Sequence, residues 1–212
     1  MMKRFALVTR LHALAAPLTF VTFVTFATFV TFVAFAPVAF AQASTWAVDP
    51  AHSQVNFSIR HLAISNVHGR FGKVNGTIQY NEADVTKSTV QATIDVVGVD
   101  TGEPARDTHL KTADFFATDK FAMATFSSTS VQRDGAGLKI AGNLTLHGIT
   151  KSVVLNVEGP STPTQGMDKK LHTGFTATTT LNRTDFAIGS KFPEAVVSDA
   201  VKLVIELEAV KQ

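Results

Sequence analysis

The feature that most constrains the fold is an alternation of apolar and polar residues that runs through most of the chain after Thr45. Near the C-terminus, for example, every second residue is apolar: Val201, Leu203, Ile205 and Leu207. Successive side chains of a pleated strand leave opposite faces, so a period of two is typical of a half-buried strand. Many such strands require a sheet that buries one face. Closing that sheet into a barrel buries the face and removes the exposed edges.

The alternation and the turn sequences between the runs predict eight strands. Asp134-Gly135-Ala136-Gly137 and His147-Gly148 predict tight turns, in which glycine supplies a positive φ. Short links between consecutive strands favour an up-and-down antiparallel sheet. The predicted strands cover approximately residues 53–62, 69–80, 88–98, 122–133, 137–147, 151–159, 170–182 and 200–210.

Two interruptions of the pattern are informative. Gly72 and Gly76 lie inside the second predicted strand and indicate a bulge or bend. The stretch Arg106–Phe116 has no alternation, and Pro104 suits a first helical turn. The sequence therefore predicts an all-β fold, an eight-stranded antiparallel barrel with a short helix between strands three and four.

The N-terminal residues do not fit this barrel. Three basic residues, Lys3, Arg4 and Arg10, precede an apolar run from Leu11 to Phe40, which ends in Ala41-Gln42-Ala43. This is the pattern of a secretory signal peptide, predicted here as residues 1–43, followed by one domain at 44–212. The run is also long enough for an uncleaved anchor across a bilayer core of about 30 Å. Its recurrent Thr and the small residues behind it favour cleavage and export to the periplasm or secretion.

Composition excludes several functions for the predicted mature chain. Without the three leader cations it has 16 basic and 17 acidic residues, and this near-neutral balance argues against nucleic acid as a partner. It has no Cys, so thiol catalysis and zinc–thiolate sites are excluded, and packing must stabilise the domain. A chain of this size buries about two-thirds of its unfolded surface, which is enough for a core.

Catalytic patterns are missing from the mature chain. It has no Gly-x-Ser-x-Gly turn. Asp107, Asp114 and Asp119 cluster around the predicted helix, where capping explains them more simply than acid–base chemistry. No pair of histidines has a spacing typical of a metal site, and we predict no metal and no cofactor. The six histidines are His52, His61, His68, His109, His147 and His172.

The barrel interior is the remaining candidate site. An eight-stranded barrel either fills with its own side chains or holds one small ligand, and alternation does not distinguish these cases. If the interior is hollow, the wall of the tunnel is formed by the residues that the alternation places on the inner face of the barrel. These are Val55, Phe57, Ile59, Ile78, Ala92, Ile94, Phe126, Leu144, Leu155, Phe175, Leu203 and Ile205.

Five segments resemble one protein family in the identity of their residues as well as in their alternation of apolar and polar residues. They are DPAHSQVNFSIRHLAISNVHGRFGKVNGTIQY, RDTHLKTADFF, GNLTLHGITKSVVL, LNRTDFAIG and VSDAVKLVIELEAV. Together they resemble the YceI-like family of exported lipid-binding proteins, over essentially all of residues 45–211. The resemblance implies a lipocalin-like barrel with a lengthwise apolar tunnel that binds polyisoprenoid or other long amphiphilic chains. The function we expect is an exported binding protein that holds an isoprenoid, a fatty-chain amphiphile or a quinone for storage, transport or stress response. The resemblance implies no catalysis.

The resemblance also implies a set of recurrent framework or mouth residues without assigned chemistry: His52, Ser53, His61, Arg106, Asp107, His109, Leu110, Asp114, Phe115 and Phe116. Two alternatives stay open at this point. One is an exported enzyme of hydrolytic or metal-dependent type that uses His61, His109 and the nearby Asp residues. The other is a filled structural or stress-induced barrel without a ligand. Transient membrane contact and a homodimer are compatible with the binding hypothesis.

Overall fold

The structure, a computed structural model, describes residues 43–212, so the predicted signal peptide lies outside the described residues except for Ala43. β-Strands make up most of the regular secondary structure in this part of the chain. They are β1 Ser44–Val48, β2 Gln54–His61, β3 Ser65–Arg70, β4 Val74–Tyr80, β5 Thr89–Asp95, β6 Met123–Asp134, β7 Gly137–Leu146, β8 Ile149–Glu158, β9 Thr164–Gln165, β10 Leu171–Asn182 and β11 Val197–Lys211. One α-helix, α1, spans Pro104–Leu110, and 3-10 helices span Val85–Lys87 and Arg183–Phe186.

The strands close into an antiparallel barrel, which confirms the predicted fold class. The sheet order is β3-β2-β11-β1-β4-β5-β6-β7-β8-β10-β9, and β10 also pairs with β11. The closed ring therefore has eight strands, β1, β4 to β8, β10 and β11. The long strand β11 pairs along one edge with β10 and along the other with two strands in turn, β2 through 201–206 and β1 through 209–211.

The first predicted strands needed correction. The short strand β1 was not predicted, although it closes the ring between β11 and β4. The predicted single strand at 69–80 is two strands, because β3 pairs with β2 whereas β4 pairs with β1 and β5. The break contains Gly72, whose N–H donates to the Asp95 carbonyl oxygen at 2.8 Å. A Cβ at Gly72 would lie 2.4 Å from the Asp95 carboxylate, so this close approach requires glycine.

The predicted turns and helix lie where the sequence indicated. Asp134 pairs with Gly137 across a tight turn, and His147 and Gly148 link β7 to β8 with positive φ at both residues. Pro104 occupies the first turn of α1, and the Glu103 side chain accepts a hydrogen bond from the Ala105 N–H at 3.3 Å. The helix is shorter than the predicted non-strand segment, since it ends at Leu110.

One half of the interior is filled. We call it the closed half and define it by the buried residues Trp46, Ile78, Phe126, Val131, Leu138, Ile140, Val157, Ala177 and Ala209. Trp46, Ile78 and Ala209 form one apolar cluster with Tyr80, Val90 and Phe175 packed against it. Burying a large apolar side chain contributes about 1.5–3 kcal/mol, so this half supplies much of the stability. Among residues 43–212, no helix has both the length and the hydropathy needed to cross a membrane.

Candidate functional site: an apolar cavity in the open half of the barrel

The other half of the interior, which we call the open half, contains a cavity of about 330 Å³. Its wall comes from β2, the ends of β10 and β11, helix α1 and the segment 183–197 that links β10 to β11. The cavity reaches the surface, because the exposed residues Arg60, His61 and His109 line it together with fully buried ones such as Val96 and Phe186. None of the residues that define the closed half lines it. The cavity is thus confined to one half of the barrel and is shorter than the lengthwise tunnel that the resemblance implied.

The twelve residues predicted for a tunnel wall divide between the two halves. Six line the cavity: Val55, Phe57, Ile59, Ile94, Leu144 and Leu203. Six do not: Ile78, Ala92, Phe126, Leu155, Phe175 and Ile205. All six of the latter belong to the apolar clusters of the core, buried in two cases and partly buried in four. Alternation therefore placed these side chains on the inner face, and their height along the barrel decides which of them reach the cavity.

Aromatic rings form one wall of the cavity. Phe57, Phe71 and Phe116 follow one another, with ring centroids 5.3 Å and 5.5 Å apart. Phe57 pairs with Gly69 across β2 and β3, and a Cβ at Gly69 would lie 2.3 Å from the Phe57 ring. Glycine therefore lets this ring lie flat against the neighbouring strand. The row gives the cavity a rigid, apolar side.

The permanently charged residues of the cavity lining are all arginines. The polar residues of the lining include three arginines, Arg60, Arg106 and Arg183, and two histidines, His61 and His109, while no Asp or Glu is among the lining residues. Arg106 is held in place by Thr101, with Nε donating to Oγ1 at 2.7 Å and Nη2 to the carbonyl oxygen at 3.0 Å. The rim therefore favours a group that accepts hydrogen bonds or carries negative charge.

Arg183 is buried beneath this rim and organises the segment 183–197. All five of its N–H groups donate to main-chain carbonyl oxygens at 2.6–3.1 Å, those of Ile188, Gly189, Phe192, Val197 and Ser198. A guanidinium presents five donors in a fixed fork and stays charged at any ordinary pH. One side chain thus holds together a segment with little regular structure, which forms one side of the cavity.

A second cluster closes the rim beside α1. Asp114 accepts hydrogen bonds from Lys191 and from His109 Nε2, the latter at 3.0 Å. The Lys191 ammonium, and next the His109 ring, hold the pKa of the Asp114 carboxyl below its usual value. The Phe115 and Phe192 rings stack with centroids 4.9 Å apart, and the His109 ring meets Phe115 edge-on at 5.1 Å. These contacts fasten the segment 183–197 to the helix side of the mouth.

The recurrent residues implied by the resemblance also fall into two places. His61, Arg106, His109, Leu110, Phe115 and Phe116 line the cavity. Asp107 supports the rim, since its carboxylate accepts hydrogen bonds from the N–H and the hydroxyl of Thr101. His52 and Ser53 lie elsewhere, in the turn between β1 and β2.

Sequence reasoning missed Arg183, Phe186, Ile188, Phe192 and the other lining residues of the segment 183–197. This segment has no period of two, so alternation did not assign it to any wall. Residues 181–188 mix polar and apolar side chains, so the sequence carried no local signal that Arg183 is buried.

The turn between β2 and β3 projects beside the mouth and is apolar. Leu62 and Ile64 are 47% and 77% exposed, and Ala63 lies between them. Leu62 and Ala63 have φ of 50° and 59°, a conformation that Asn and Gly adopt more readily. The Leu62 N–H donates to the carbonyl oxygen of Val196, a cavity-lining residue, at 2.9 Å. We call Leu62–Ile64 the apolar turn.

Comparison with known proteins agrees with the fold and identifies the family. The chain is 38% identical over 182 residues to the UPF0312 protein Shew185_3055 of Shewanella baltica (strain OS185), covering 84% of this chain and 92% of the relative. The crystal structure of the Campylobacter jejuni YCEI protein is 31% identical with a TM-score of 0.64, covering 70% of this chain and 87% of that one. A polyisoprenoid binding domain from Saccharophagus degradans, implicated in plant cell wall breakdown, has a TM-score of 0.57 at 19% identity, covering 81% of this chain and all of that one. The YceI-like domain model matches residues 46–209, and the chain belongs to the YceI-like family.

Proposed function

We propose that this protein is a non-enzymatic carrier that binds one amphiphile, with the apolar chain in the cavity and the headgroup at the rim. The observation that carries the proposal is the division of the cavity lining. Its depth consists of aliphatic and aromatic side chains, and its polar residues are three arginines, two histidines and Thr101, without a carboxylate. Apolar walls select a chain by length and width. Arg60 and Arg106 favour a headgroup that accepts hydrogen bonds, whereas the five N–H groups of Arg183 are already paired with main-chain carbonyl oxygens.

The energetics of such binding are favourable without a catalytic or metal centre. A chain that buries on the order of 400 Å² of apolar surface gains roughly 10 kcal/mol before costs, at about 25 cal/mol per Å². Loss of translational freedom and of chain torsions offsets a large part of this gain. The cavity of about 330 Å³ is near the lower limit of ligand pockets, which is about 300 Å³. We therefore expect a long chain to be only partly enclosed.

The proposed ligand is an isoprenoid lipid with an anionic headgroup. The S. degradans domain with the same fold is a polyisoprenoid binding domain, which supports an isoprenoid chain, and the arginine rim supports the anion. A quinone or a fatty acid would satisfy the same walls, since quinone carbonyls and carboxylates also accept hydrogen bonds from arginine. The ligand experiment below separates these three classes by mass.

We further propose that the protein is exported and exchanges its ligand at a bilayer surface. Residues 1–43 have the charge, apolar run and small terminal residues of a signal peptide. The apolar turn exposes Leu62 and Ile64 beside the mouth, with Arg60 at the base of the turn. Aliphatic side chains next to a cation suit the boundary between headgroups and acyl chains. Docking through the turn would bring the cavity mouth to the lipid.

The decisive experiment is recovery of the bound molecule. The protein should be expressed from its full-length gene, purified without detergent from the periplasmic fraction of its own host, and extracted with organic solvent for mass spectrometry. We expect close to one isoprenoid lipid per chain. Intact mass of the same sample should begin at Ser44. Protein that is properly folded yet yields no lipid, or full-length protein recovered only from membranes, would overturn the respective part of the proposal.

A further inference from the structure

A second cluster of ionisable residues lies outside the cavity, where β1 gives way to β2 alongside β11. The turn 49–53 is locked to β11 by main-chain contacts. The Asp49 N–H donates to the Glu208 carbonyl oxygen at 2.8 Å, and the Glu208 N–H donates to Ser53 Oγ at 3.0 Å. Residues about 155 positions apart are thereby held at fixed distance, and none of them lines the cavity.

Three side chains from these two segments converge. Nδ1 of His52 lies 2.7 Å from Oδ2 of Asp49, and one ligand atom each from Asp49, His52 and Glu208 lie within 4.8 Å of one another. Zinc takes nitrogen and oxygen ligands at about 2.0–2.2 Å, so donors around one ion lie roughly 3.3 Å apart. Metal binding therefore requires the His52 and Asp49 side chains to rotate out of their hydrogen bond, in which the two atoms lie 2.7 Å apart.

The carboxylate of Glu208 is oriented by a further pair. Its Oε1 lies 2.7 Å from Nδ1 of His172, and Nε2 of His172 lies 3.0 Å from Oδ1 of Asp168. Hydrogen bonds of this kind commonly fix the orientation of metal-binding side chains. His172 and Asp168 are therefore positioning residues, and they hold Glu208 toward Asp49 and His52.

The surroundings favour a cation. His52 and Glu208 border a surface cleft of about 490 Å³, whose lining also includes Glu158 and Glu206 but neither Lys nor Arg. The third proposed ligand, Asp49, adds another carboxylate beside this cleft, within 4.8 Å of the ligand atoms of His52 and Glu208. Three glutamates in one cleft create a negative potential that raises the local concentration of divalent ions.

We propose that Asp49, His52 and Glu208 bind one divalent transition-metal ion, with Zn²⁺ the best match for one imidazole and two carboxylates. The ion displaces the proton shared by Asp49 and His52, and a fourth position remains for water or for a donor that enters the cleft. The site is independent of the lipid cavity, so either proposal stands if the other fails. Histidine spacing did not reveal it, because Glu208 reaches His52 only through strand pairing.

The test uses the mature protein without a polyhistidine tag, treated with EDTA and dialysed. Calorimetric titration with ZnCl₂ should give one saturable site per chain. His52→Ala and Glu208→Gln should each weaken binding at least tenfold, and His172→Ala should weaken it less. His68→Ala, which changes an exposed histidine on β3, is the matched control and should leave binding unchanged.

Replacement of Zn²⁺ by Co²⁺ provides a readout of coordination. Its visible absorption should appear at one equivalent and disappear in His52→Ala. Circular dichroism and melting in EDTA should be the same for His52→Ala as for the wild type, because the His52 side chain is largely exposed. Absence of saturable binding, or a stoichiometric site that persists in His52→Ala, would overturn the proposal.

Discussion

The two halves of this barrel share the same strands but differ in what fills them. In the closed half, inward side chains from all around the ring meet, and Trp46 and Ala209 are almost completely buried. In the open half, the inward-facing side chains of the strands border a cavity. One side of the cavity wall comes from the segment 183–197 and not from a strand. Strands thus provide a packed core in one half, and a segment held by Arg183 provides part of the cavity wall in the other.

The largest expected effect comes from removing the guanidinium that holds this segment. Arg183→Met removes five hydrogen bonds to carbonyl oxygens, of which that of Gly189 still accepts from the Phe192 N–H. A buried unsatisfied polar group costs about 1–3 kcal/mol. We expect a loss of about 3 kcal/mol or more in the free energy of unfolding, together with loss of ligand, measured by urea denaturation and lipid extraction. Arg183→Lys should not rescue either, because an ammonium cannot replace the five-donor fork.

The matched control for this variant is Arg133→Met, which removes an exposed arginine from β6. Its effect should stay within about 0.5 kcal/mol, as is usual for surface substitutions. If Arg183→Met unfolds at the same urea concentration as the wild type, the segment 183–197 does not depend on this side chain.

A pair of buried alanines compares the halves directly. Ala124 and Ala177 are both 4% exposed, but Ala124 lines the cavity and Ala177 does not. Ala177→Phe overpacks the core and should cost about 1–3 kcal/mol with ligand binding retained. Ala124→Phe should extend into the cavity, lowering ligand occupancy or shortening the bound chain at nearly unchanged stability of the ligand-free protein. Equal destabilisation by both variants would indicate that the open half is packed core.

The apolar turn offers a test in which stability and function move in opposite directions. Replacing Leu62 and Ala63 by Asn and Gly puts residues that tolerate positive φ into the turn. We expect the melting midpoint to rise, by the equivalent of about 1 kcal/mol. Binding to vesicles of phosphatidylglycerol and lipid transfer from them should fall, as measured by flotation and by a fluorescent lipid. Unchanged vesicle binding would exclude the turn as the docking site.

The smallest expected effect on stability comes from a surface residue, His172. Its replacement serves as a reference for the variants in the two halves. Hydrogen bonds to Asp168, and next to Glu208, raise the pKa of His172 above its usual value. A raised pKa means that the contribution to stability is complete below the unfolded value and is lost as pH rises through the folded value. The melting difference between wild type and His172→Gln should therefore be larger at pH 5.5 than at pH 8.5, and smaller in high salt. A larger melting difference at pH 8.5 than at pH 5.5 would contradict a stabilising contact of protonated His172.

The sequence predicted what depends on local pattern. Strands such as Leu171–Asn182 and the turn at Asp134–Gly137 were predicted to within a residue or two at most ends, because alternation and turn residues are local properties. The break at Gly72 was visible only as a bend. The separation into two strands depends on Asp95 of β5, whose carbonyl oxygen accepts a hydrogen bond from Gly72.

The candidate site was predictable only in part, for a related reason. Period two identifies which side of a strand faces inward, so Phe57 and Phe126 were both placed inside. It does not tell how far along the barrel a residue lies, and only Phe57 reaches the cavity. The wall formed by the segment 183–197 has no period at all, since its conformation comes from Arg183 and not from a repeated pattern.

The double pairing of β11 has a consequence for the order of folding. Its partners β1 and β2 precede it by more than 130 residues, and each bonds to a different stretch of the same strand. The ring therefore cannot close before β11 arrives, and contacts of such long sequence separation form slowly. Without β11, the hairpin of β2 and β3 also lacks its partner in the sheet, because β2 joins the other strands only through β11. Under the proposed export, the signal peptide would direct the chain across the membrane before the ring closes. Closure of the ring and binding of the ligand would then follow after export.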